Sequence, residues 1–286
     1  MARLQLEPIS RITLSGPDIF QQHYLIPCTP VILTNFSESW LARTKWSFDY
    51  FKDCAGDVVI PLYGESFSGT GKNYLEVTTH MNFGDYLDLI ATERTHLRMF
   101  LFNIFKHIPT LSDDFDFPPI VPSFLEKRPF LFFGGRGSFV DAHYDVNLSH
   151  IFLTQFLGKR KVILFAPSES VLLYKHPLTV STNIDIGDPD FVKYPKLKEA
   201  KGMECVLEPY ETLFIPSGYW YYVYYVEAGF SLILRSQAIP FTRRMMALLN
   251  LFNLLVLDNS ISKLIGAQKW YWFKEQMAVK RARRHK

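Results

Sequence analysis

Cysteine is scarce in this chain. Cys28, Cys54 and Cys205 are the whole set in 286 residues, with no CxxC pair, no zinc spacing and no disulfide framework. That excludes a cysteine-stapled fold and a thiolate metal centre, and it fits a reducing cytoplasm. The N-terminal stretch MARLQLEPIS has no apolar core of the kind a secretory leader needs. The longest apolar run, MMALLNLFNLLVL over 245–257, is interrupted by Asn250 and Asn253 and is short for a bilayer span, so no transmembrane segment is expected. A formal charge of +3 is too near neutral to argue for nucleic acid by itself. Internal repeats and low-complexity segments are also missing.

The chain does have apolar and aromatic mass, 48% and 16% of its residues, enough to bury a large core as one big domain or as one domain with an appendage. The charge is uneven: five of the last seven residues, KRARRHK, are Lys or Arg. Those cations read as a solvated helix end complementing the helix dipole, or as a contact for phosphate or a membrane surface.

Short amphipathic helices are expected at 17–28 and 46–55, flanking a strand PVILTNF at 30–36. A strand is expected at 57–64, a helix at 82–92 with Asn82 as its cap, and a strand over LRMFLFNIF at 97–105. From 130 to 236, strands punctuated by Gly and Pro turns dominate, as in a barrel or jelly roll. After Pro240 two helical segments follow. The first carries only a narrow polar stripe through Arg243, Ala247, Asn250 and Leu254, so the β-domain or a second subunit is expected to cover it.

DAHYDVNLSHIF holds His143 and Asp145, a His-x-Asp pair. On a strand, residues two apart share a face, so imidazole and carboxylate converge, as in two-thirds of the facial triad of a non-haem Fe(II) site. A structural hydrogen bond would give the same pair. His150 could replace a ligand only through a bulge at DVNLS, since its strand parity is opposite, and is expected to be a satisfied polar or pocket-lining group. Asn147 and Thr154 are lesser candidates for the pocket.

The order TPVILTNF…KWSFDYF, AHYD, GKRKVILFAPSES, IDIGDPDFVKYPKL, ECVLEPYETLFIPSGYW and GFSLILR spans residues 10–236. It resembles the Jumonji-C or cupin-like domain of the Fe(II)/2-oxoglutarate hydroxylases, in particular the asparaginyl-hydroxylase and tRNA-wybutosine-hydroxylase branch. The resemblance implies a mainly β fold with flanking helices, a double-stranded β-helix over 1–240, with a helical C-terminal appendage over 241–286 of the kind that dimerises some members. It also implies Fe(II) and 2-oxoglutarate as cofactors if the chain is active, and none if it is not.

The departures from that pattern lie at the site. The distal metal-binding histidine is expected five residues after the proline of FIP, where this chain has Tyr221 within PSGYWYYVYY. Neighbouring Tyr222 alternates to the opposite face. The lysine that anchors oxoglutarate is replaced by Arg160, the threonine before the His-x-Asp pair by Val140, and the tyrosine of the earlier strand by Phe100. Arg235 is a second possible anion anchor, or a charge at a strand end.

A phenol must ionise to ligate a metal, whereas a neutral imidazole need not. Two readings follow. One is a cytoplasmic hydroxylase of a protein, RNA or small-molecule target, with His143, Asp145 and Tyr221 at the metal and no catalytic side chain beyond them. The other is an inactive descendant that serves as a binding or scaffolding module. Beside these two stands a third, a metal-independent sugar or carboxylate binder using Arg160 and Arg235. The C-terminal helices are expected to form a homodimer.

Overall fold

The strands read between 130 and 236 become two facing, mostly antiparallel sheets. The computed structural model describes residues 3–64, 77–126, 129–237 and 240–285. Ahead of that region lie strands β1 (Gln5–Pro8), β2 (Arg11–Ile12), β3 (Val31–Leu33), β4 (Val59–Leu62), β5 (Thr79–Asn82) and β6 (Arg98–Met99). Then come β7 (Phe130–Gly134), β8 (Phe139–His143), β9 (His150–Leu157), β10 (Arg160–Phe165), β11 (Lys201–Leu207), β12 (Thr212–Ile215), β13 (Trp220–Tyr225) and β14 (Gly229–Ser236). One sheet has the order β1-β11-β10-β13-β8 and the other β2-β3-β12-β9-β14-β7-β6, with β4 and β5 paired apart from both. This is the expected double-stranded β-helix.

Each central strand is buried on both faces, and its alternate residues serve different cores. Ile151 and Leu153 of β9 meet Val162, Leu164, Val223 and Tyr225 between the sheets. Phe152 and Phe156 of the same strand point away, into a second core beneath the N-terminal helices α1 (Pro17–Phe20), α2 (Ala42–Lys45), α3 (Phe48–Ala55) and α4 (Phe83–Thr92). There Phe51 sits edge-on to both Phe133 and Phe230, at 5.2 Å from each ring centre. Burying such a side chain stabilises the fold by roughly 1.5–3 kcal/mol relative to leaving it in water. Asp114 ties the layer down, accepting from Lys45 Nζ and Trp46 Nε1, each at 2.8 Å.

One helix start carries a clear local signal. Ser47 caps α3, its hydroxyl accepting from the Tyr50 backbone N–H at 3.1 Å. Asn82 does stand at the N-cap of α4, but its side chain makes no capping bond. The stretch at 97–105 departs from expectation: only Arg98–Met99 pairs, at the edge of its sheet, and a short 3-10 turn, Ile104–Lys106, follows. Leu101 adopts φ 58°, in the left-handed region, which ends the strand. All three cysteines are free.

The outer face of the five-stranded sheet buries Trp220 and Tyr222 beneath a third core that includes Ala247, Ala278 and Ala282 of the C-terminal helices. α5 (Phe241–Phe252) runs through a π-helical stretch, Asn253–Asp258, into α6 (Asn259–Ile265), and Gly266 separates it from α7 (Ala267–Arg284). Phe241–Ile265 is thus one continuous helix of 25 residues, long and apolar enough by length and composition to cross a bilayer, which the shorter run read from the sequence was not. The β-domain covers this helix on the narrow stripe of Arg243 and Ala247. Arg243 Nη1 donates to the Ser217 carbonyl at 2.8 Å, and Ala247 is buried. The β-domain leaves the apolar side of the helix exposed. Lys286, last of the basic tail, lies outside the described residues.

Candidate functional site: a Tyr–Asp–Arg cluster at the barrel mouth

Between the sheets lies a cavity of about 910 Å³, within the usual range for small-molecule sites. His143, Asp145, Tyr221, Arg160, Arg235, Phe100 and Val140 all line it, so every site residue read from the sequence is brought to one place.

β13 explains the convergence. Its odd residues Tyr221, Val223 and Tyr225 face the cavity, and its even residues Trp220 and Tyr222 face outward. Tyr221 is paired with His143 of β8, their ring centres 4.3 Å apart. Next along, Val223 is paired with Val140, so β8 carries an extra residue there, a bulge. It lets the Asp141 carbonyl accept from His143 Nδ1 at 2.8 Å, which places the lone pair of a neutral ring on Nε2. Strand alternation is not what brings Asp145 alongside. β8 ends at His143, and Asp145 stands in the following turn, its carbonyl accepting from Leu148 N–H at 2.9 Å.

Both Asp145 oxygens are engaged by the protein. Tyr221 donates its hydroxyl to Oδ1 at 2.7 Å, and Arg235 donates Nε–H to Oδ2 at 2.8 Å. The ion pair is largely enclosed, with side-chain exposures of 15% for Arg235 and 13% for Asp145. Arg235 is therefore not a surface charge at a strand end. Burial alone would raise the Asp145 carboxyl, but the charge and hydrogen bond of Arg235, with the Tyr221 bond, outweigh it and hold it below its usual range. Burial, and then the neighbouring carboxylate, push the Tyr221 phenol well above its usual value. Burial holds the His143 imidazole below its ordinary value, against the Asp141 bond and the Asp145 charge.

This donor set does not fit a divalent metal. A guanidinium already neutralises the carboxylate, the phenol is a hydrogen-bond donor far from ionising, and only one imidazole is present. Among the described residues no group of three His, Cys, Asp or Glu side chains could hold a metal ion.

Arg160 lies flat on the Tyr225 ring, its guanidinium carbon 4.0 Å from the ring centre. It donates to Ser231 Oγ at 2.5 Å and to the Phe132 carbonyl at 2.9 Å, while its Nε–H is buried with no partner among the described residues. Arg98 repeats the arrangement. It lines the cavity, its Nη2 donates to the Gly64 carbonyl at 3.1 Å, and its buried Nε–H is also unpartnered. Arg98 was missed in the sequence, where its signal was a lone cation at the head of an apolar run. Of the lesser candidates, Asn147 lines the cavity, whereas Thr154 bonds Thr212 at 2.9 Å outside it. His150 accepts from Ser217 N–H at 3.1 Å and stacks on Phe214, the satisfied role expected of it.

The C-terminal helices close one side of the cavity with Leu254, Asp258, Trp270, Tyr271 and Lys274, beside His176. Burial, followed by the Lys274 charge, lowers the His176 imidazole to about 4. The folded protein therefore resists a proton that the unfolded chain accepts near pH 6.5. Stability is expected to fall as the pH drops from about 6.5 towards 4, and His176→Gln should flatten that part of the curve, read by urea unfolding across the range.

Comparison with known proteins gives a consistent result. A family model described as a cupin-like domain matches residues 17–252. Lysine-specific demethylase JMJ30 of Arabidopsis thaliana is 31% identical over 237 residues, covering 77% of this chain and 52% of that protein. Lysine-specific demethylase 8 of Danio rerio is 28% identical over 236 residues, covering 78% and 57%. tRNA wybutosine-synthesizing protein 5 of Gallus gallus is 29% identical over 227 residues, covering 71% and 69%. The chain spans about half the length of the two demethylases.

Proposed function

This chain belongs to the cupin-like domain family, in the JmjC group that fits the Fe(II)/2-oxoglutarate oxygenases, and from that membership we propose that it is a metal-independent binding module for a small carboxylate with an apolar body. One observation carries the reading: both oxygens of Asp145 are occupied by the chain's own donors, Tyr221 and Arg235. The guanidinium supplies the positive charge that a metal would otherwise bring to that carboxylate. Recognition of the ligand falls to Arg160 and Arg98, whose guanidinium groups bring positive charge to the cavity lining. Phe130, Phe132, Leu153 and Ile233 supply the apolar walls.

The test is calorimetry with 2-oxoglutarate and longer dicarboxylates in the presence of EDTA. Binding is expected to be indifferent to the chelator and to weaken by about 10–100-fold in Arg160→Gln, the loss of one charge-assisted hydrogen-bond partner.

The convergence of His143, Asp145 and Tyr221 on one point favours a second reading, a hydroxylase acting on a protein, RNA or small molecule. Near-stoichiometric iron after Fe(II) loading, with consumption of 2-oxoglutarate, would establish that reading and overturn the first.

A further inference from the structure

The helix Phe241–Ile265 is mounted with its apolar side outward. Phe241, Met245, Leu248, Leu249, Phe252 and Val256 recur at the three-and-four spacing of a single helix face, and all six are exposed. Only 6% of its most apolar 18-residue window is buried. The polar stripe faces the β-domain, where Arg243 bonds Ser217, and Asp258 accepts from Trp270 Nε1 and Lys274 Nζ, each at 2.8 Å. Arg243 ties the start of the helix to the β-domain, and Asp258 ties its second half to α7. α7 adds exposed Trp272, Phe273 and Met277.

Charge separates the two kinds of partner such a face could meet. Residues 241–286 contain ten Lys or Arg and two acids, a net +8, whereas the whole chain carries +3, so residues 1–240 carry −5. Both acids are engaged, Asp258 by Lys274 at 2.8 Å and Glu275 by Lys193 at 2.7 Å. Arg244, Lys263, Lys269, Lys280, Arg283 and Arg284 are exposed around the apolar residues. Two copies of the chain meeting through this segment would bring two strongly cationic surfaces together. An anionic surface would gain from every one of these charges.

We propose that this face docks in the plane of an anionic phospholipid bilayer, with its apolar and aromatic side chains at the boundary between headgroups and acyl chains. The inner side of the same helix lines the cavity through Leu254, Asp258 and Ser262, so docking sets the cavity beside the headgroups.

The experiment is flotation of the full chain with vesicles of phosphatidylcholine alone and of phosphatidylcholine mixed with phosphatidylglycerol. Binding is expected only to the mixed vesicles and should weaken as salt is raised. It should fall roughly fivefold for each cation removed in Lys263→Gln and Lys269→Gln, and be lost in the double variant Leu249→Glu, Phe252→Glu. Unchanged melting of that variant would place its defect in docking. No binding to mixed vesicles, or equal binding to neutral ones, would overturn the proposal. So would light scattering that finds a stable dimer broken by the same double variant while vesicles are ignored, since the face would then belong to a second copy.

Discussion

Asp145→Ala is expected to be among the most destabilising single changes in the barrel, costing about 3–5 kcal/mol, because it leaves the Arg235 guanidinium enclosed without its counter-charge. For a domain of this size that corresponds to a fall in Tm of roughly 6–20 °C. The loss cannot be explained by missing contacts alone, and a double-mutant cycle shows why. Arg235→Met strands the carboxylate instead and should also be costly. Asp145→Ala combined with Arg235→Met removes both charges and should recover most of the stability, since an apolar replacement of an enclosed pair is often neutral or better. Because the folded carboxyl is held below its usual range, the stabilisation is present at neutral pH. It is lost as acid protonates the carboxylate, and the double variant should lack that acid limb. If Asp145→Ala changes stability by no more than about 1 kcal/mol, as an exposed pair would, the cluster does not hold the barrel mouth together.

The second large effect is a gain. Tyr221→His combined with Arg235→Met should bind Co(II) or Fe(II) about 100-fold more tightly than the unaltered chain, by supplying a second neutral nitrogen donor and removing the competing cation. Either change alone should achieve much less. With Arg235 in place the carboxylate stays neutralised, and with Tyr221 in place the site offers a phenol that resists ionising. Tyr221→Phe should leave metal affinity unchanged. Affinity of the double variant should weaken below about pH 6.5, as imidazole protons compete with the metal. Co(II) absorption titrations decide the matter: equal affinity in the unaltered chain and the double variant would mean that the native cluster opens to admit a metal.

Which parts of this were legible in the sequence follows from the range of each interaction. The strands from Phe130 onward announce themselves through apolar and β-branched runs between Gly and Pro turns, and the order of short motifs pointed to the barrel. His143, Asp145 and Tyr221 were found by their spacing from fixed features of those motifs. The partner of Asp145 was not, because Arg235 lies 90 residues away and nothing local distinguishes an enclosed guanidinium from one at a strand end. The apolar run around Phe100 read as a strand because apolar density is ambiguous, and there an edge position and the left-handed Leu101 prevailed over propensity. The polar stripe of the long helix was visible, but which side the β-domain would take was not. Arg243 needed Ser217 as a partner, and that choice exists only in three dimensions.

The closure of the two sheets also sets a timetable. β3 pairs with β12, and β1 with β11, so these strands wait for partners made much later in the chain. Between Leu33 and Thr212 lie about 180 residues, a delay of roughly 10–35 s at common rates of translation. During that interval Val31–Leu33 has only the two-residue strand β2 beside it and its other edge lacks its native neighbour, and β9 is made before either β12 or β14 can flank it. A nascent chain stalled before Gly229 would leave β7 and β9 without the strand that lies between them, open to any other chain within reach. Such a fold is committed late and all at once, and its yield in a cell should depend on chaperone supply more steeply than its final stability would indicate.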